Sequence, residues 1–241
     1  MKKKQRVSGN EDALLSLTDE AYRLIEEMVV TLKLAPGSVV TEQALCKDLN
    51  IGRTPIREAL VRLKQDGLVT VIPRRGILVQ PIETSESLMT LEVRHLVETL
   101  IVERAARLSN DVDRHRFRHL ADQMEKAAKD KAFVRFMRVD HAFNMLVAKC
   151  AQHPVAEKVI APLHAVSRRL GFYYAQWHAG SIEETGHAHA NIMRAIADGD
   201  EKLAREELEG LLQLSRKISL NIEEELLDDV SKSYTGRVRK K

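Results

Sequence analysis

Turn-forming residues are scarce in this chain: 11 glycines and 6 prolines among 241 residues, about 7% where roughly 12% is usual. A protein of many strands needs a tight turn every few residues, so the shortage favours long helices. Hydrophobic residues make up 44% and charged residues 30%, which suits a packed core and excludes collagen-like, low-complexity and wholly disordered chains. The length exceeds the ~100 to 200 residues of a usual domain and points to two of them. No window approaches the ~18 consecutive apolar residues of a membrane span. The basic start (Lys2, Lys3, Lys4, Arg6) runs into polar residues 7–12 instead of the apolar core of a signal peptide. The chain is therefore expected in the cytoplasm, away from any membrane. Cys46 and Cys150 stand far apart without a CxxC neighbour, and are expected as two buried thiols, not as a disulfide or a thiolate metal site.

The net charge of +3 is unevenly spread. Residues 1–82 hold 13 Lys and Arg against 10 Asp and Glu, residues 83–231 hold 20 against 25, and the last ten hold 5 against none. Within residues 43–80 the count is 7 against 3, the sign that phosphate binding requires, although a solvated basic face has the same count. The expected organisation is a flexible basic segment over 1–13, a first domain over 14–82, a second over 83–228 and a disordered basic tail over 229–241. That tail could add non-specific attraction to DNA.

Local signals in the first domain order themselves clearly. Residues 17–34 read as a helix, with Thr18 as its N-cap, Asp19 and Glu20 at its positive end, and Ala21, Leu24, Ile25, Met28 and Leu32 at helical spacing. Pro36-Gly37 ends it. Thr41 caps a second helix that closes at Asn50, and a turn follows at Ile51-Gly52. Thr54-Pro55 is read as the hydroxyl cap and first-turn proline of a third helix, buried along Ile56, Ala59, Leu60 and Leu63 and stopped by Gly67. Residues 68–72 and 77–79 are β-rich runs around Pro73-Arg74-Arg75-Gly76, a hairpin with two cations at its tip. Helix, helix, turn, helix and basic-tipped hairpin make a winged helix-turn-helix, in which the third helix enters the major groove. Arg53 and Arg57 are four apart, so they share the face that can pair with guanine O6 and N7. Thr54 and the amides of that helix N-terminus are placed for a phosphate. Arg74 and Arg75 reach the backbone or minor groove, and Gly76 permits close approach.

The run LAPGSVVTEQALCKDLNIGRTPIREALVRLKQDGLVTVIPRRGILVQP resembles the DNA-binding domain of GntR-superfamily repressors, with PG, RTPxREAL, L..DGLV and RRG in register. The resemblance implies that Gln43 contacts the DNA backbone. Gly52 departs from it, standing where the family usually has Ser or Thr, so a hydroxyl contact to phosphate is missing there.

From residue 84 to 224 the pattern is of amphipathic helices: 86–109, 113–129, 132–151, 155–172 with a kink at Pro162, a further piece near 172–178, then 182–197 and 200–225. The fold class is accordingly mainly α, a winged helix-turn-helix followed by an all-α helical bundle. The elements R94xxxE98, D140xxFN144 and H189xxIxxAIxxGD200 resemble the FadR-like (FCD) ligand-binding domain. In many members of that branch an Asp and three His hold a divalent metal that anchors an organic acid. By that resemblance Asp140 and His189 keep two positions, while Asn144 and Leu211 replace two imidazoles. One Asp, one His and one amide would make a weak site for Zn²⁺ or Ni²⁺, each of which takes about four donors. Asp140 and Asn144 lie one turn apart beside Phe136, Phe143 and Val147, and His189 shares a stripe with Ile182, Ile192 and Ile196; these polar groups face inward, where each needs a partner. Arg94 is assigned to an effector carboxylate because its planar fork suits bidentate pairing and the family often has Arg there; a helix-face ion pair with Glu98 is its bland alternative. Tyr173, Tyr174 and Trp177 wall the pocket or close a dimer contact, and the sequence does not choose.

The expectation is a ligand-responsive transcriptional repressor that binds a palindromic operator as a homodimer and leaves it on binding a small carboxylate. The competing readings are an enzyme using Asp140 and His189, and an effector-independent DNA-binding protein. No Ser/His/Asp order, phosphate-binding glycine loop or HExxH supports the enzyme.

Overall fold

The structure, a computed structural model, describes the backbone of residues 5–178 and 180–238 and the side chains of residues 17–224 apart from 84, 85, 87, 177 and 179. The chain forms two compact units, Met1–Ile82 and Glu83–Lys241.

The first unit contains α1 (Gln5–Val30), β1 (Val39–Val40), α2 (Glu42–Leu49), α3 (Arg53–Gln65), β2 (Val69–Ile72) and β3 (Gly76–Val79). Its sheet has the order β1-β3-β2, antiparallel throughout, with Val39 opposite Leu78 and Val69 opposite Val79. Ile25 and Val29 of α1, Leu45 of α2, and Ile56 and Leu63 of α3 close a core over the sheet's Val69 and Val79. Thr41 caps α2 by accepting from the Ala44 amide at 3.1 Å, and Asn50 ends it in the left-handed region, as the sequence indicates.

Three local readings are corrected. α1 begins at Gln5, so the segment expected to be flexible up to residue 13 is helical from residue 5; no proline interrupts it, and extending a helix is far easier than starting one. Thr18 therefore lies inside α1, buried, and its hydroxyl donates to Glu58 Oε2 of α3 at 2.7 Å. Gly52, not Thr54, is the N-cap residue of α3 and offers no side-chain cap. Strand β1 was not expected; two residues carry too little alternation to be read.

The second unit contains α4 (Thr84–Leu108), α5 (Asp111–Lys129), α6 (Phe133–Ala151), α7 (Pro154–Trp177), α8 (Ser181–Asp198) and α9 (Glu201–Val238). Asn110 caps α5 by accepting from the Asp113 amide at 2.9 Å, and Gly199 ends α8 at φ 78° before Asp200 accepts from the Leu203 amide at 2.9 Å. α7 runs through Pro162, with Ile160 and Ala165 buried on either side of it, and takes in residues 172–177, which were expected as a separate piece. α9 continues to Val238, past the expected end near 225 and into the segment expected to be disordered; Glu224 to Leu227 are strong helix formers with no proline after them. Residues 1–4 and 239–241 of the two basic ends lie outside the described residues. α5 and α8 approach closely at Gly186, where a Cβ would lie 2.5 Å from the Ala128 Cβ. Phe117, Met124, Ile192 and Ile196 are fully buried between these helices and their neighbours. Among the described residues no helix is long and apolar enough to cross a membrane.

Candidate functional sites

The first site is the exposed face of the N-terminal unit. Burial of Ile56, Ala59, Leu60 and Leu63 turns the opposite side of α3 outward, and Arg53, Thr54 and Arg57 are all exposed there. Thr54 is not spent on capping, so its hydroxyl is available beside the first-turn amides. Arg57 Nε donates to Glu42 Oε2 of α2 at 2.8 Å, with the arginine side chain 62% exposed. Such an exposed pair is worth about 0 to 1 kcal/mol, so it orients Arg57 without committing it. Arg53 has no ion pair among the described residues, and Gln43 is exposed on the first turn of α2. Arg74 and Arg75 sit exposed at the hairpin tip, with Arg74 at φ 63°. Gly76 has a different use from the one expected. At φ 122° its Cβ would lie 2.6 Å from the Val40 carbonyl oxygen, so its bare backbone admits β1 to the sheet.

The second site is a cavity of about 100 Å³ in the helical unit, well above the ~10 to 15 Å³ that one water needs. The structure brings Arg94, Asp140, Asn144 and His189 to its wall from α4, α6 and α8. Arg94 clasps Glu98: Nε donates to Oε1 at 2.5 Å and a terminal nitrogen lies 3.3 Å from Oε2. The bland alternative for Arg94 is thus present in the structure, but inside the cavity and almost fully buried, not on a solvated helix face. His164 Nε2 lies 3.0 Å from the same Glu98 Oε1. Burial pushes the Glu98 carboxyl up, and the Arg94 guanidinium with His164 more than offsets it, holding the group at about 2.

Asp140 is the centre of the other polar cluster. His189 Nε2 lies 2.9 Å from its Oδ1, Asn144 Nδ2 donates to its Oδ2 at 3.1 Å, and Arg168 Nε stands 3.9 Å from that oxygen. Burial opposes the charge on Asp140, yet the His189 hydrogen bond and the charges of His189 and Arg168 hold its carboxyl well below the usual range. The other ring nitrogen of His189 lies 2.8 Å from the Thr185 carbonyl oxygen, and the ring is wedged edge-on between Phe136 and Phe143.

His164 and Arg168 were not anticipated. Their i, i+4 spacing on α7 was visible in the sequence, but nothing in it said that this face of α7 meets Glu98 and Asp140. The aromatic cluster resolves in part: Tyr174 is buried, stacks on His178 at 4.1 Å and accepts from Asn221 Nδ2 of α9, so it serves packing and does not line the cavity. The Trp177 side chain lies outside the described residues. His187 points away, 3.4 Å from Glu125 on the exposed side of α8. Cys150 is buried but Cys46 only partly so, a correction to the pair of buried thiols.

The residues around Asp140 do not fit the divalent metal that the resemblance implies. Among the described residues no three His, Cys, Asp or Glu side chains are placed to share an ion. Leu211 lines the cavity with hydrocarbon where a third imidazole would stand, and Asn144 directs its amide N–H₂ at Asp140.

A winged helix-turn-helix followed by a six-helix unit with a cavity lined by charged side chains defines a class, a DNA-binding unit joined to a helical one. Residues 89–214 match the FCD domain and residues 17–79 match the bacterial regulatory proteins of the gntR family. The chain belongs to the GntR family of DNA-binding transcriptional regulators, in the group that carries an FCD domain, so the resemblance read from the sequence is borne out and the enzyme alternative is set aside. The HTH-type transcriptional repressor RspR of Escherichia coli strain K12 is 25% identical over 206 residues, spanning 84% of this chain and 90% of that protein. An HTH-type transcriptional regulator in an unstable DNA locus of Streptomyces ambofaciens is 28% identical over 190 residues, spanning 77% and 78%. The solved structure of E. coli McbR/YncC superposes with a TM-score of 0.75 over 86% of this chain and 98% of its own, at 18% identity, which shows a shared fold.

Proposed function

We infer that the chain is a cytoplasmic repressor that binds a palindromic operator as a homodimer and is released by a small organic acid bound in the helical cavity. The observation that carries the effector part is the buried cavity itself: two guanidiniums, Arg94 and Arg168, and two imidazoles, His164 and His189, border it with only Glu98 and Asp140 as acids. A core built for stability alone favours hydrocarbon there, because buried ion pairs contribute little net stability. Charged groups around an empty space are arranged for a charged guest. Support for repression comes from the similarity to RspR, a transcriptional repressor.

Support for a dimer comes from α4. Met89, Val93, Leu96 and Leu100 recur at spacings of four, three and four along one face, and all are exposed, the stripe of a helix that lacks its apolar neighbour. On DNA, Arg53 and Arg57 read base edges, and Gln43, Thr54, Arg74 and Arg75 hold phosphates, with Gly76 keeping the wing in shape.

The test pairs two measurements on the full chain. Small mono- and dicarboxylates are screened for a rise in melting temperature, and those that raise it are added to the protein–operator complex, followed by fluorescence anisotropy. A ligand that stabilises the protein must weaken operator binding reciprocally. A carboxylate that stabilises without moving operator affinity would remove the release mechanism, and the absence of any stabilising carboxylate would favour the effector-independent reading.

A further inference from the structure

The position that the resemblance gives to a divalent ion is already taken by protein groups. Asp140 Oδ1 is engaged by His189 at 2.9 Å and Oδ2 by Asn144 at 3.1 Å, and the next group to approach Oδ2, at 3.9 Å, is the Arg168 guanidinium. His189, whose Nδ1 lies against the Thr185 carbonyl, can offer only Nε2, and Leu211 can donate nothing. Zinc or nickel needs about four donors, whereas here two are available and a third neighbour is itself a cation. A divalent ion brought beside Oδ2 would stand next to the Arg168 guanidinium, and like charges at that separation repel strongly in a buried site.

We propose that Arg168 takes the electrostatic place of a divalent ion in this cavity, so that the site works without a metal and an entering carboxylate meets a guanidinium. Arg168 is nine-tenths buried, lines the cavity, and holds its Nε 3.9 Å from Asp140 Oδ2. A guanidinium offers parallel N–H donors that match the plane of a carboxylate. Asp140 then acts as the counter-ion that fixes this cation in the wall, and Asn144 fixes Asp140. The second clause of the proposal rests on reading the cavity as an effector site; the tests below use metal alone, so either reading fails without the other.

The full-length chain, purified without a His tag and stripped with EDTA, is titrated with zinc chloride and with nickel chloride by calorimetry, in parallel with His189→Ala. The expected result is no ion whose binding depends on His189; heat that survives in His189→Ala belongs to surface histidines such as the i, i+4 pair His115 and His119 and supports the proposal equally. One ion per chain that disappears in His189→Ala overturns it. The double variant Asn144→His with Leu211→His should gain one such ion per chain, and failure to gain it would overturn the assignment of the deficit to these two positions. Adding Arg168→Met to the double variant should tighten that ion at least tenfold, because the competing cation is removed. Unchanged or weaker affinity places Arg168 away from the ion and overturns the proposal. Arg168→Gln, closer in shape, gives the same comparison if the Met variant melts early.

Discussion

At the scale of single residues, the two sites use charge in opposite ways. Arg57 is exposed and held only by Glu42, so water can compete for it and a base edge can replace its partner at small cost. Arg57→Ala should weaken operator binding by roughly 1 to 3 kcal/mol and relax base preference, read by anisotropy with operator and scrambled duplexes. An equal loss on both duplexes would move Arg57 to the phosphate contacts. Glu98 is the buried counterpart. Its carboxyl is held at about 2 against an ordinary 4.5, a difference on the order of 3 kcal/mol. Because the folded value is depressed, this stability is present above about 4.5 and is lost as the pH falls towards 2. Glu98→Gln should flatten the fall in melting temperature between pH 5 and 3, and should cost roughly 3 to 5 kcal/mol at neutral pH because Arg94 is left unpaired. An unchanged acid limb would show that other carboxylates govern it. The family resemblance singled out Arg94, Asp140 and Asn144, and i, i+4 spacing set Asn144 beside Asp140 and Glu98 beside Arg94. Neither revealed that His164 and Arg168 from α7 complete these pairs, because that depends on how helices distant in sequence come together.

At the scale of elements, what was legible follows from local chemistry and what was not follows from packing. Thr41 and Asn50 bound α2 through caps that are written in the residues themselves, whereas the Asn110 cap of α5 went unread and its start was placed at 113. The continuity of α7 past Phe172 and the pairing of β1 with β3 depend on neighbours that no window of sequence contains. Gly186 is the sharpest case: an unremarked glycine in the middle of α8 proves to be where α8 meets α5, with room for no Cβ against Ala128. Gly186→Ala should raise intrinsic helix propensity yet destabilise the protein by about 1 to 3 kcal/mol through overpacking, measured by denaturant unfolding. A stabilised variant would mean that the helices part freely. In the first unit Gly76→Ala combines a clash with the Val40 carbonyl and a φ of 122°, and should detach β1 and lower DNA affinity together with stability. Loss of affinity at unchanged stability would return Gly76 to the direct DNA contacts.

At the scale of the whole molecule, the exposed stripe on α4 is where the proposed dimer and its operator can be tested together. A palindromic operator presents two half-sites about 34 Å apart, one duplex turn, and a single winged helix engages only one of them. Two linked copies make the second contact intramolecular, which multiplies affinity by roughly 10² to 10⁴ without a new contact. Leu96 stands 73% exposed at the centre of the stripe, so a charge there leaves the monomer's own core untouched, and surface changes of this kind usually alter stability by less than about 0.5 kcal/mol. In an interface between two copies the same charge is buried opposite apolar side chains, and by two-fold symmetry it is buried twice. Leu96→Glu should therefore sediment as a monomer, keep its helical circular dichroism, and bind operator about 10²-fold or more weakly while its affinity for an isolated half-site is retained. Val112→Glu, equally exposed at 62% but on α5, should remain dimeric and bind as the parent does. A Leu96→Glu protein that stays dimeric assigns the interface to another face. One that becomes monomeric with operator affinity intact separates dimerisation from recognition and removes the palindrome from the account.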